Sequence, residues 1–231
     1  MNKSNYVLPG FLMIIFFVAC QNTQQKAKTE VEKTEEKVMI TENNSTITNK
    51  KIILCFGNSL TAGYGLDENQ AWPYLMQERL DSLDMPYLVV NAGLSGETSA
   101  GGLGRIDWVL NQPIDYFILE LGANDMLRGL DVTATYDNLQ GILDKVKEKN
   151  PDIKIIVAGL LTPPNMGPEY EKAFNRIFPD LAAKYDATRI PFFLEGVAGI
   201  DSLNLGDGKH PNAIGQKIVL ENVWESLISI I

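Results

Sequence analysis

Histidine occurs once in these 231 residues, at His210, and cysteine only twice, at Cys20 and Cys55. Two thiols allow at most one disulfide and cannot build a thiolate zinc site, so the fold has to stand on an apolar core. Positive charge is scarce as well: 20 Lys and Arg face 29 Asp and Glu, for a formal net charge of -9. With no basic stripe in the chain, the composition argues against nucleic acid as a partner. There is neither a Walker lysine nor a G-x-G-x-x-G loop, which weighs against a flavodoxin-type phosphate or flavin binder. No internal repeat occurs. What is present is ordinary globular composition, 45% hydrophobic, at a length that suits one domain with additional sequence.

The additional sequence lies at the N-terminus. Lys3 precedes an apolar run over 11–19 that is too short to span a bilayer and suits the core of a signal peptide. Ala19 followed by Cys20 resembles the lipobox at which bacterial lipoproteins are cleaved and acylated on the new N-terminal cysteine; Phe17 stands where that motif usually has leucine. Residues 1–19 are therefore expected to be a signal peptide and Cys20 the lipidation site. Residues 20–50, rich in Thr, Gln, Asn, Lys and Glu, read as a disordered tether that cannot bury enough apolar surface to offset its ordering entropy. An exported bacterial lipoprotein follows, held to the membrane in the periplasm or outer envelope by its lipid.

From Lys51 the pattern changes to short apolar runs alternating with helical windows. Strands are predicted over 51–56, 87–91, 116–121 and 153–159, with a weak one at 190–193; helices are predicted over 72–82, 102–110, 135–149, 169–185 and 212–230. In the 135–149 window Leu139, Ile142, Leu143 and Val146 fall at i, i+3, i+4 and i+7, while Asp144, Lys145, Lys147 and Glu148 lie elsewhere and form a solvated face. Such alternation implies an α/β fold for 51–231, a central parallel sheet with helices on both faces. Trp72, Trp108 and Trp224 are expected to pack helices onto that sheet, and Cys55, in an apolar run, to be a buried and inert thiol.

In open α/β sheets ligands bind beyond the carboxyl ends of the strands, so the segments that follow each apolar run belong together. They are Gly57-Asn58-Ser59, Asn91 through Thr98, and Gly122-Ala123-Asn124-Asp125; Asp207-Gly208-Lys209-His210 precedes the last helix. Together they supply a hydroxyl, flexible backbone amides, a carboxamide and an acid–imidazole pair. Acyl transfer needs a serine, an imidazole to take its proton, a carboxylate to fix the imidazole tautomer, and donors for the developing oxyanion. Asp207 is expected to orient Nδ1 of His210 while Nε2 faces Ser59. Asp125 is expected to fix loop geometry rather than titrate in catalysis.

These stretches resemble the motifs of the SGNH (GDSL) hydrolase superfamily, and within it the acyl-CoA thioesterase, lysophospholipase and arylesterase subgroup. The matching segments are 57–66, 91–98, 121–125 and 207–212, and the resemblance covers 51–231. It implies a flavodoxin-like three-layer α/β/α sandwich, with Ser59 as nucleophile, His210 as general base then acid, and Asp207 as its partner. It also implies an oxyanion hole from the Ser59 N–H, the Gly96 N–H and the Asn124 side chain, with Gly93 as the rival for the glycine role. One position departs from the pattern: Asn58 stands where the family usually has aspartate before the nucleophile.

A serine esterase of this kind requires no metal or cofactor. Lysophospholipids, short acyl esters or aryl esters are the expected substrates, because 126–129 and 162–166 read as rim loops that line an acyl groove. Deacetylation of glycans is the alternative chemistry. A non-catalytic envelope lipoprotein that binds glycan or lipid in the same cleft is the alternative class, which a fluorophosphonate probe distinguishes.

Overall fold

The computed structural model describes residues 50–163 and 165–231. The expected signal peptide, Cys20 and all of the tether except Lys50 lie outside the described residues. Five strands, β1 (Lys51–Gly57), β2 (Tyr87–Gly93), β3 (Tyr116–Glu120), β4 (Lys154–Ala158) and β5 (Thr188–Ile190), form one parallel sheet in the order β2-β1-β3-β4-β5. Among the described residues seven α-helices accompany them: α1 (Ser59–Ala62), α2 (Trp72–Ser82), α3 (Ser99–Val109), α4 (Ala123–Leu127), α5 (Val132–Lys149), α6 (Pro168–Lys184) and α7 (Ala213–Leu227). Helix α2 packs against α7, and α5 packs against both α3 and α6.

Helices on both faces explain why the inner strands read as unbroken apolar runs. All five residues of β3 are buried, as are Ile53 through Gly57 of β1. The chain leaves β1 for β2 on one side and places β3 on the other. That reversal opens a crevice beyond the carboxyl ends of β1 and β3, and the two turns there carry the chemistry.

Two of the predicted elements shift for identifiable reasons. The weak strand at 190–193 is displaced to Thr188–Ile190, because Pro191 has no N–H to extend a ladder. Its apolar character reports burial instead: Phe193 is fully buried against Trp72, ring centroids 6.0 Å apart. Helix α3 begins at Ser99 rather than at 102, with Thr98 as the N-cap accepting from Gly101 N–H at 3.3 Å. The expectation for the tryptophans holds at Trp72, which is fully buried, and fails at Trp108, which is 75% exposed on the outer side of α3. Trp224 is half-buried under the Arg79 guanidinium, 5.1 Å from the ring centroid. Cys55 is buried and free, its thiol pushed well up by that burial.

Candidate active site

Strand β1 ends at Gly57, and Asn58 turns the chain into α1 by accepting from Leu60 N–H at 2.9 Å with its side-chain oxygen. Ser59 is therefore the first helical residue, a position whose backbone N–H has no partner within a helix. Its side chain sits at the mouth of the crevice.

The imidazole arrives from a segment pinned at both ends. Leu205 N–H donates to the His210 carbonyl at 2.7 Å, Asn212 N–H donates to Leu203 at 2.9 Å, and Asn204 and Pro211 form an antiparallel bridge. Buried Asn204 donates to the Val197 and Ile200 carbonyls, each at 2.8 Å, while Asn212 caps α7 by accepting from Ile214 and Gly215 N–H.

Held in this way, His210 Nε2 lies 2.9 Å from Ser59 Oγ and Nδ1 lies 2.5 Å from Asp207 Oδ2. The other Asp207 oxygen accepts from Lys209 N–H at 2.9 Å and His210 N–H at 3.1 Å. The Lys209 N–H first, and then the imidazole, hold the Asp207 carboxyl down at about 2. It is anionic near neutral pH, so Nδ1 carries the proton and Nε2 offers its lone pair to the Ser59 hydroxyl. The Tyr64 ring lies beside the imidazole, centroids 4.6 Å apart, a contact not foreseen from sequence.

Asn124, the second residue of α4, lines the same cavity as Ser59 and His210. One hydrogen of its amide is donated to the Glu97 carbonyl at 2.9 Å, which leaves the second available. Gly96, at φ 82°, is adjacent to Glu97, and its carbonyl accepts from Arg128 at 2.9 Å. Gly93, the rival, has its N–H taken by Asn91 Oδ1 at 2.9 Å. Arg105 braces this loop, pairing with buried Glu97 through two 2.6 Å contacts, donating to the Ala92 carbonyl at 2.7 Å and covering the Phe56 ring. Buried Asp125 accepts from Ser99 N–H at 2.8 Å and Ser99 Oγ at 2.5 Å, joining α4 to α3 as loop geometry requires.

A third buried carboxyl, Glu120, closes β3 directly beside Gly57. It accepts from Asn58 Nδ2 and Thr61 Oγ1, both at 2.8 Å. Burial lifts it to about 8 against the opposing pull of those hydrogen bonds. The only sequence signal for it is a carboxylate in an otherwise apolar strand.

Beside the hydroxyl lies an open cavity of about 650 Å³ whose walls include Leu60, Met126, Leu127, Leu160, Leu161 and Phe192. The expected rim loops contribute Met126, Leu127, Thr162 and Pro163, while Phe192 and Leu194 come from the turn after β5. Among the described residues no cluster of three or more His, Cys, Asp or Glu has metal-binding geometry, and no helix is long and apolar enough to cross a membrane.

The sequence profile of the GDSL-like Lipase/Acylhydrolase family matches residues 55–218. Esterase TesA of Pseudomonas aeruginosa is 40% identical over 176 residues, 76% of this chain and 87% of the relative. Thioesterase 1/protease 1/lysophospholipase L1 of Escherichia coli K12 is 38% identical over 170 residues, 73% of this chain and 79% of the relative. A crystal structure of TesA superimposes with a TM-score of 0.74 at 39% identity, covering 78% of this chain and all of that one.

Proposed function

The chain belongs to the GDSL-like lipase/acylhydrolase family, the SGNH hydrolases, and is a serine ester hydrolase; on that premise we propose that Ser59 is its nucleophile, His210 its base and acid, and Asp207 the group that orients the imidazole. The observation that carries this assignment is the unbroken hydrogen-bonded line from Asp207 through His210 to Ser59, at 2.5 and 2.9 Å. His210 Nε2 takes the hydroxyl proton as Oγ attacks the ester carbonyl, and the anionic Asp207 stabilises the imidazolium that forms. The oxyanion is received by Ser59 N–H, Gly96 N–H and the second hydrogen of Asn124 Nδ2. The imidazolium then protonates the departing alcohol, leaving an acyl-serine. Water enters, gives its proton to Nε2 and attacks the acyl carbon, and collapse returns the proton to Oγ as the acid leaves.

The substrates we infer are carboxylic esters with an apolar acyl or aryl part, lysophospholipids among them. The cavity walls support this: Leu, Met and Phe side chains offer little that an acetylated glycan would hydrogen-bond, and much that a hydrocarbon would displace water from. Cys20 is proposed as the lipidated anchor, on the strength of its sequence context alone. A fluorophosphonate probe tests the nucleophile: the expected result is one adduct, mapped to the peptide holding Ser59. No adduct, or an adduct elsewhere, contradicts the assignment. A p-nitrophenyl ester series tests the substrate class, with turnover expected to rise beyond acetate; turnover of acetate alone would count against an apolar acyl site.

A further inference from the structure

None of the steps above uses the buried carboxyl of Glu120. It lies at the end of β3 in register with Gly57, where a Cβ would come within 2.7 Å of Oε2, so the absence of a side chain at 57 makes room for the carboxyl. Its Oε2 takes Thr61 Oγ1 at 2.8 Å and Asn58 N–H at 3.3 Å, and Oε1 takes Asn58 Nδ2 at 2.8 Å. An amide has its donor and acceptor on opposite sides. With Nδ2 committed to Glu120, Asn58 Oδ1 is committed to Leu60 N–H at 2.9 Å and lies 3.3 Å from Ser59 Oγ, whose one hydrogen is directed to His210 Nε2 at 2.9 Å.

We propose that Glu120 and Asn58 form a matched acceptor–donor pair that positions the nucleophile, Glu120 fixing the Asn58 amide and Asn58 fixing the Ser59–Leu60 turn. The proposal rests on Ser59 being the nucleophile. Only one hydrogen fits between Glu120 Oε1 and the side chain at 58. Asparagine supplies it permanently, whether Glu120 is neutral or ionised. Aspartate there would set two carboxyl oxygens against each other, and the hydrogen would become a shared proton that leaves as pH rises. Among the described residues Glu120 has only uncharged hydrogen-bond partners, Asn58 and Thr61. Charged groups at this end of the sheet are already engaged: Arg105, which reaches Gly57 O at 3.5 Å, with Glu97, Asp207 with His210 next to Ser59, and Asp125 with Ser99.

The pairing predicts a rescue with its direction reversed. In Asn58→Asp/Glu120→Gln the introduced glutamine amide donates to the introduced carboxylate, and the glutamine oxygen still accepts from Thr61. The experiment measures kcat for p-nitrophenyl butyrate from about pH 6 to about pH 9.5, per active site titrated to completion with fluorophosphonate. The wild-type protein is expected to level off on the alkaline side. Asn58→Asp should instead fall there by about tenfold or more, and the double variant should level off again within about threefold of wild type. A merely structural role would lower the melting temperature without bending the pH profile. A flat alkaline limb in Asn58→Asp, or a falling one in the double variant, overturns the pairing. If Asn58→Asp alone does not fold, the double variant decides: a level profile near wild type supports the pair, and a loss of more than about tenfold overturns it. Failure of the wild-type protein to label at Ser59 removes the nucleophile assignment and this proposal together, whereas labelling with a flat Asn58→Asp profile removes only the pairing.

Discussion

At the scale of single residues, chemistry here depends on which oxygen faces which hydrogen. Asp207 is anionic because backbone N–H groups and the imidazole all donate to it, which holds its carboxyl at about 2. Asp207→Asn keeps the shape but can present an N–H to Nδ1, favouring the wrong tautomer; kcat is expected to fall about 10³- to 10⁴-fold with KM little changed. Glu120 has the opposite shift, from 4.5 to about 8, because burial disfavours its charge. Between those values the folded protein keeps a proton that the unfolded chain has released, so stability declines as pH rises from about 4.5 to about 8. Urea melts across that window should show the decline, and Glu120→Gln should remove it; an unchanged slope would mean that Glu120 titrates normally. Neither Glu120 nor Tyr64 was legible as a site residue in sequence. A lone carboxylate ending an apolar strand, or a tyrosine five residues past a serine, has no spacing that marks it. As candidates, Ser59 and Asn124 were legible because they follow strand ends, and Asp207 and His210 because they precede the last helix, each in a segment of turn-forming residues. Tyr64→Ala is expected to lower kcat about threefold to tenfold by freeing the imidazole it packs against.

At the scale of elements, legibility followed length. Strands β1, β3 and β4 are continuous apolar runs buried on both faces, and α5 and α6 are long enough to display a helical period. Helices α1 and α4, of 4 and 5 residues, are too short to show one, yet they carry Ser59 and Asn124. Trp108 was misread because large aromatics usually pack inward, whereas its place on α3 turns it to solvent. The His210 segment depends on the α7 cap, since Asn212 both caps that helix and donates to the Ser202 carbonyl at 2.9 Å. Asn212→Ala should cost about 1–2 kcal/mol of stability, read by denaturant melts, and should lower kcat by loosening the segment that carries the imidazole.

At the scale of the whole molecule, the strand order β2-β1-β3-β4-β5 brings segments about 150 residues apart to one edge, so that Ser59 meets His210. Sequence motifs gave the partners and their order; only the folded sheet supplies the apolar walls, since Phe192 and Leu194 enter the cavity from a turn with no motif of its own. The anchor proposed at Cys20 would add a location to this chemistry. Cys20→Ser is expected to move the protein from the membrane to the soluble fraction of a bacterial host and to abolish incorporation of labelled fatty acid; continued incorporation would place the anchor elsewhere. The most direct measurement is steady-state ester hydrolysis by Ser59→Ala beside the wild-type protein. A proton relay ending on that hydroxyl predicts a loss of about 10⁴- to 10⁶-fold in kcat, and retention of more than about a tenth of the wild-type rate would contradict it.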